Sequence, residues 1–193
     1  MKIGVYGGTF NPIHFGHINL IEGFKEKLKL DKILIIPTAT PPHKQTHELA
    51  SANDRLNMCK IALENYDFCE VSDIEIKREG KSFTADTLTE LAEKNPNDKF
   101  FLLMGEDMFL TVNKWKNSEI IFKLATICVA PRSLIATQRL REHGEKLKNH
   151  FSDFEYLIAE IPFVDISSTQ IRNGEENFLP IAVKEYIKKN NLF

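Results

Sequence analysis

Short apolar runs alternate along the chain with stretches in which apolar residues recur every three or four positions. The short runs are rich in β-branched and aromatic residues and predict strands at residues 2–6, 32–36, 100–104, 126–130 and 156–159. Residues 71–76, where apolar and acidic positions alternate, predict one more strand. The longer stretches predict helices over residues 14–28, 51–64, about 84–94 and 180–190, the last with a proline at its start.

The order of these elements indicates the fold class. Strands alternate with helices, and most strands are apolar throughout, as expected for strands covered on both faces. We therefore predict an α/β fold: a single doubly wound, Rossmann-like domain over residues 1–193, with a mostly parallel sheet and a small C-terminal helical extension. The charged stretch 131–148 predicts a solvated surface helix and a mobile loop. Ligands of such sheets bind beyond the carboxyl ends of the strands.

Composition narrows the classes of partner. The chain has 193 residues, 42% of them hydrophobic and 27% charged, which is typical of a globular protein. Its formal net charge of -2 predicts no nucleic-acid partner, and a polyanionic substrate would need locally gathered positive charge and a divalent metal. The sequence shows neither a signal peptide nor a membrane-spanning run, so we expect no membrane partner and a cytoplasmic location. It does not decide the oligomeric state, and a homo-oligomer is possible.

The three cysteines, Cys59, Cys69 and Cys128, are far apart, and no CxxC pair occurs. An odd number of separated cysteines predicts reduced thiols in a cytosol. The pattern argues against both a disulfide framework and a zinc knuckle.

The first strand leads into the segment GGTFNPIHFGH at residues 7–17. It matches neither the GxGxxG fingerprint nor a P-loop, so hydride transfer and P-loop hydrolysis lose support. Gly7 and Gly8 allow close approach of a ligand to the backbone, and their amides can bind phosphate oxygens. His14 and His17 share a face at a helix N-terminus, which suits a triphosphate. Alternatively, the histidines are capping or packing residues, or half of a zinc site with His43 and the histidine at position 47.

Three other segments follow predicted strands or open predicted helices. Residues 37–44 (PTATPPHK) form either a rigid basic loop at the ligand edge or a simple turn. Residues 82–84 (SFT) open a helix, and either hydroxyl could be its N-cap. Residues 166–172 (ISSTQIR) combine hydroxyls with an arginine, as in an anion site or in a capped helix with a surface arginine. Trp115, the only tryptophan, could equally be a core residue.

These segments, in this order, resemble bacterial nicotinate-nucleotide adenylyltransferases, a family of the nucleotidyltransferase α/β-phosphodiesterase superfamily. The HxGH motif at residues 14–17, PPHK at 41–44, GED at 105–107 followed by Trp115, and ISSTQIR at 166–172 carry the resemblance, which spans residues 7–172. It implies that ATP and nicotinate mononucleotide are joined to give nicotinate adenine dinucleotide and pyrophosphate, with Mg²⁺ entering with ATP.

The resemblance also implies a role for each matching residue. The catalytic donors would be His14, His17, Lys44 and Arg172. The nicotinate mononucleotide would be bound by His43, Lys44, Thr84, Trp115 and Lys116, although many relatives have an aromatic residue in place of Lys116. No residue is expected to bind a metal directly. ATP would be bound by Gly7, Gly8, Thr9, Phe10, His14, His17, Gly105, Asp107, Ile166, Ser167, Ser168 and Arg172.

Three rival functions remain at the level of sequence. A sibling enzyme would use nicotinamide mononucleotide or another phosphate acceptor. A non-catalytic sensor of adenine nucleotides could share the fold, although the intact HxGH motif argues against it. A zinc hydrolase is the third, and no cysteine or carboxylate has a zinc-ligand spacing near the histidines.

Overall fold

A central parallel sheet organises the computed structural model, which describes residues 1–40, 49–78 and 80–193. Within these residues the sheet has six strands in the order β3-β2-β1-β4-β5-β6, and every neighbouring pair is parallel. The predicted α/β class with a mostly parallel sheet is therefore confirmed. The strands are β1 (Lys2–Gly8), β2 (Lys32–Pro37), β3 (Cys69–Val71), β4 (Lys99–Gly105), β5 (Ala125–Ala130) and β6 (Tyr156–Ile158).

Helices connect the strands and extend the chain beyond the sheet. Short 3-10 helices occur at Val112–Lys114 and Glu176–Phe178. The α-helices are α1 (Phe15–Leu28), α2 (Ala52–Ala62), α3 (Ile74–Lys77), α4 (Thr84–Lys94), α5 (Glu106–Phe109), α6 (Ser118–Leu124), α7 (Leu134–His150), α8 (Ser168–Arg172) and α9 (Ile181–Lys189).

The strand order creates a crevice at one edge of the sheet. The chain runs from β1 outward to β2 and β3, and then crosses back to place β4 on the other side of β1. In doubly wound sheets this reversal leaves a ligand crevice beyond the carboxyl ends of the two central strands. Gly8 ends β1 and Gly105 ends β4, so the segments that follow them line the crevice.

Apolar residues of the strands divide between two cores, one on each face of the sheet. In β2, Leu34 and Ile36 belong to one core, whereas Ile33 and Ile35 belong to the other. Successive side chains of a strand point to opposite faces, so a strand that is apolar throughout fills both cores. This alternation explains why the runs at residues 32–36 and 100–104 contain hardly any polar residue.

The strand predicted at residues 71–76 is wrong beyond Val71. β3 ends there, and Ile74–Lys77 forms the one-turn helix α3. The acidic positions of the alternation do not all face solvent, because Glu75 is buried and its Oε1 accepts a hydrogen bond of 2.8 Å from the Thr87 hydroxyl. A buried acidic residue of this kind gives the sequence the same alternation of apolar and acidic positions that a half-exposed strand would have.

The charged stretch 131–148 is more closely packed than predicted. It includes most of α7, in which Ala136, Leu140 and Leu147 are buried. Leu140 and Leu147 belong to the same core as Leu34 and Ile36 of β2. Two of its arginines, Arg132 and Arg139, pair with carboxylates at the end of β4. The helix was predicted correctly, and Arg132 and Arg139 are exposed as expected, although each also pairs with a carboxylate.

The described residues contain no helix that is both long enough and apolar enough to cross a bilayer.

Candidate functional site

His14 and His17 lie side by side at the start of α1. His14 is the N-cap of the helix, one position before its first turn, and His17 is its third residue. The two imidazole centroids are 3.8 Å apart, and His17 Nδ1 accepts a hydrogen bond of 3.3 Å from the His14 backbone N–H. The expectation that the two side chains share a face at a helix N-terminus is therefore met in the structure.

The His14 imidazole is almost completely buried. Its burial lowers the pKa of His14 from the ordinary 6.5 to about 4, so the ring is neutral at pH 7. Its Nδ1 has no hydrogen-bond partner among the described residues. A buried polar atom without a partner is costly in a finished core, and it can be satisfied by a ligand.

Glycines allow this packing. A Cβ on Gly16 would lie 3.0 Å from His14 Cε1 and 2.9 Å from Ile166 Cγ2, both shorter than an ordinary contact. A Cβ on Gly8 would lie 2.9 Å from the ring of Phe10. Gly7 has no such constraint, because its nearest neighbour would be Ile36 O at 4.0 Å. Gly8 and Gly16 are thus required by packing, whereas Gly7 is exposed beyond the core.

The glycine pair does not form a loop. Gly7 and Gly8 lie inside β1 and pair with Ile36 and Pro37 of β2. The chain leaves the sheet at Thr9 and turns at Phe10, which has a φ of 48°. The buried Phe10 ring contacts His17 edge-on, with 5.1 Å between the ring centroids.

The ISSTQIR segment packs directly on the turn that precedes the histidines. Arg172 Nη1 donates a hydrogen bond of 2.8 Å to Asn11 O, and the Ser168 hydroxyl donates one of 3.0 Å to Pro12 O. Ser167 is the N-cap of α8 and accepts a hydrogen bond from the Gln170 backbone N–H. We call residues 7–17 and 166–172 the histidine cluster. The structure thus joins two segments that the sequence separates by about 150 residues.

A second group of site residues gathers at the start of α4. Neither predicted hydroxyl caps this helix: Phe83 is its N-cap, and the Ser82 hydroxyl instead accepts a hydrogen bond of 3.0 Å from the Ala39 backbone N–H. Thr84, the first residue of α4, is half-buried. Lys116 Nζ lies 4.0 Å from the centroid of the Phe83 ring, a cation–π contact.

Trp115 precedes Lys116 at the end of the 3-10 helix Val112–Lys114. Its ring is half-buried and packs against the core on the α4 side of the sheet. Trp115 is therefore neither fully core nor fully exposed, and one part of the ring remains accessible. We call residues 82–84 and 115–116 the tryptophan cluster.

Carboxylates and arginines meet where β4 and β5 end. Asp107 and Arg132 form an exposed ion pair, with 2.5 Å between Asp107 Oδ2 and Arg132 Nη2. Glu106 is buried, accepts a hydrogen bond from the Arg132 backbone N–H and pairs with Arg139. A Cβ on Gly105 would meet nothing within 4 Å, so the surface beside this glycine is open.

Some predicted site residues lie outside the described residues, and two arginines that contact predicted site residues were not anticipated. His43, Lys44 and the rest of residues 41–48 are not among the described residues. Sequence reasoning assigned no site role to Arg55 or Arg132. The position of Arg132 directly after a strand was a usable signal, whereas Arg55 resembles any exposed arginine of a surface helix.

No group of three or more histidine, cysteine or acidic residues within the described part of the chain has the geometry of a metal site.

Comparisons with known proteins identify the family of the chain. The family model described as Cytidylyltransferase-like matches residues 5–174. A protein of Borreliella burgdorferi, described as "Probable nicotinate-nucleotide adenylyltransferase", is 36% identical over 100% of this chain and 97% of its own length. A protein of Clostridium tetani with the same description is 34% identical over 100% of this chain and 98% of its own length.

Solved structures with the same fold include nicotinic acid mononucleotide adenylyltransferase of Plasmodium falciparum, complexed with NaAD and, in a second structure, with APC. The NaAD complex has a TM-score of 0.78 and 22% identity, and the APC complex has 0.77 and 21%. Each match covers 99% of this chain and 96% of the solved chain. The fold agrees over the whole length, and the sequence relatives cover the same length at higher identity. The chain therefore belongs to the cytidylyltransferase-like family and, within it, to the nicotinate-nucleotide adenylyltransferases.

Proposed function

We propose that this chain is an adenylyltransferase that joins ATP and nicotinate mononucleotide to give nicotinate adenine dinucleotide and pyrophosphate. The observation that carries the proposal is that the histidine cluster is assembled after the carboxyl end of β1, the strand that pairs with β4, in a chain related over its full length to nicotinate-nucleotide adenylyltransferases. The reaction supplies the dinucleotide precursor of NAD.

The reaction needs little covalent chemistry from the protein. A phosphate oxygen of the mononucleotide attacks the α-phosphorus of ATP, the bond from that phosphorus to the α–β bridging oxygen breaks, and pyrophosphate leaves with the electron pair. The attacking phosphate is already an anion, so a general base is not required. Catalysis then consists of alignment of the two phosphates and stabilisation of the charge that develops on the leaving group.

The histidine cluster suits the triphosphate. The neutral imidazole of His14 offers a single N–H donor without adding a charge, and its Nδ1 has no partner among residues 1–40, 49–78 and 80–193. Arg172 brings a positive charge to the same place, because its guanidinium is anchored on Asn11 O. The N-terminus of α1 adds backbone N–H groups and a favourable dipole for anions.

Mg²⁺ would supply further neutralisation of the phosphates. We propose that it enters with ATP and keeps mostly phosphate and water ligands, since the described residues contain no cluster of protein ligands for it.

The tryptophan cluster suits the pyridine nucleotide. The accessible part of Trp115 offers a stacking surface, and Thr84 presents a hydroxyl and a backbone N–H at the first position of α4, where an anion is favoured. Lys116 adds a cation held over Phe83. Together these groups favour a ring that bears a carboxylate. His43 and Lys44 are proposed to reach the phosphates.

The test is pyrophosphate release from ATP with each candidate acceptor. We expect release that requires nicotinate mononucleotide and Mg²⁺, and formation of nicotinate adenine dinucleotide in equal amount. Release with nicotinamide mononucleotide alone would favour a sibling enzyme. Tight ATP binding without release would favour a sensor, and activity restored by zinc but not by magnesium after chelation would favour a zinc hydrolase.

A further inference from the structure

Arg55 has the largest fully buried side chain among the described residues. It lies in the first turn of α2, and none of its surface is exposed. Burial of a charged group is costly unless the group is paired and hydrogen-bonded, and the N-terminal turn of a helix disfavours a cation. The position of Arg55 therefore carries two costs that its contacts must offset.

The guanidinium donates hydrogen bonds to backbone carbonyls of three separate segments. Nη1 donates to Thr9 O at 2.9 Å, Nη2 donates to Ala39 O at 2.9 Å, and Nε donates to Ala50 O at 3.1 Å. The planar fork of arginine matches such a set, because its donors point in fixed directions.

Carboxylates of the described residues form no ion pair with Arg55. Burial lowers the pKa of its guanidinium, but an arginine remains charged at neutral pH because its ordinary pKa is far above neutral. The charge is therefore compensated by the carbonyl dipoles. Each of these hydrogen bonds is charge-assisted and stronger than one between neutral groups.

The three carbonyls belong to residues that lie next to the predicted site segments. Thr9 begins the turn that leads to the histidines, and Ala39 and Ala50 lie shortly before and shortly after residues 41–48. The Ala50 backbone N–H also donates to Asn11 Oδ1 at 3.0 Å, and Ala39 N–H donates to the Ser82 hydroxyl. The same turn is held from its other side by Arg172 and Ser168.

We propose that Arg55 is a positioning residue for adenylyl transfer. It holds the turn at residues 9–12 against the segments next to the end of β2 and the start of α2, so that His14 and His17 meet the phosphates. The proposal rests on the proposed function. Because Arg55 is fully buried, it would act through the backbone of Thr9 and not by direct contact with substrate. A displacement of about 1 Å at reacting groups can cost about 10²-fold in rate.

The test compares Arg55→Gln and Arg55→Lys with Met58→Ala. Met58 is fully buried in the same helix but contacts the apolar core, so its truncation destabilises α2 without removing a carbonyl contact. We expect Arg55→Gln to lower kcat and kcat/KM equally, by about 10²-fold, as expected when alignment in the transition state is lost. Arg55→Lys, which keeps the charge but lacks the fork, should fold and lose about tenfold. Met58→Ala should keep wild-type kcat below its lowered unfolding temperature.

Amide hydrogen exchange gives a readout that does not depend on turnover. The N–H groups of Ala39 and Ala50 should exchange at least about tenfold faster in both Arg55 variants than in wild type, and at the wild-type rate in Met58→Ala. Wild-type kcat in a folded Arg55 variant, or an equal loss of kcat in Met58→Ala, would overturn the proposal. If the wild type transfers no adenylyl group, the proposed function fails, and unchanged exchange at Ala39 and Ala50 would separately overturn the positioning role.

Discussion

The histidine cluster and the tryptophan cluster are held in place in different ways. The turn before the histidines is anchored by hydrogen bonds from α2 and from α8, and the His14 ring is buried against Gly16. The tryptophan cluster has a half-buried Trp115, a half-buried Thr84 and an exposed Lys116 held by one cation–π contact. The first region is pre-organised, and the second is more open.

This difference corresponds to two chemical tasks. Stabilisation of charge in a transition state requires donors that are already in position, because reorganisation during the reaction would cost rate. Discrimination between two acceptors requires only that the wrong group be left unpaired at one point of the pocket. Disturbance of the histidine cluster should therefore reduce turnover, and disturbance of the tryptophan cluster should mainly change the choice of acceptor.

The largest effect is expected for His17→Ala. Loss of a positioned donor to the phosphates should lower kcat by about 10²- to 10³-fold, or about 2.7 to 4 kcal/mol. The measurement is steady-state pyrophosphate release, with circular dichroism to show that the variant is folded. His150→Ala, which changes an exposed histidine at the end of α7, is the control and should retain full activity. Normal turnover in a folded His17→Ala would remove His17 from the site.

The buried His14 should make stability depend on pH. Its folded pKa of about 4 is below the unfolded value of 6.5. As the pH falls, the unfolded chain therefore protonates this imidazole before the folded chain does. The contribution of neutral His14 to the free energy of unfolding is present above about pH 6.5. It is lost as the pH falls towards 4, by up to about 3 kcal/mol. Urea unfolding at several pH values should show a shallower loss over this window in His14→Asn than in wild type. Equal slopes would mean that His14 titrates normally.

Gly16→Ala should lower the stability by about 1 to 2 kcal/mol and turnover by about tenfold. Alanine usually stabilises a helix relative to glycine, but here the new Cβ would press on the His14 ring and on Ile166. Gly7→Ala is the stability control, because its Cβ would make only an ordinary contact, 4.0 Å from Ile36 O. Urea unfolding of both variants tests the sign, and a Gly16→Ala protein more stable than wild type would contradict this packing.

The smallest effect concerns the acceptor. We expect wild type to prefer nicotinate over nicotinamide mononucleotide by at least about 10²-fold in kcat/KM, and Thr84→Val to reduce this ratio by about tenfold, or about 1.4 kcal/mol. Thr89→Val is a matched control on the same helix, since that hydroxyl bonds Ala85 O within α4. A Thr84→Val enzyme with the wild-type ratio would place the carboxylate pocket elsewhere.

Much of the fold and the outline of the site followed from local patterns. Apolar periodicity predicted every strand in the described residues to within a few positions, except that the strand predicted at residues 71–76 proved to be Cys69–Val71 followed by α3. It also placed the HxGH segment directly after the first strand, at the carboxyl edge of a parallel sheet. These features depend on neighbours a few residues apart, so the sequence contains enough information to determine them.

The partners of polar side chains were decided only by the tertiary structure. Arg55 reaches Thr9 across 46 residues and Arg172 reaches Asn11 across 161. Ser82, one of the two hydroxyl residues expected as a possible cap of α4, instead accepts a hydrogen bond from the Ala39 backbone N–H, 43 residues away. A local pattern can show that a residue is polar, but whether it is buried and what it bonds depend on which distant segment folds against it.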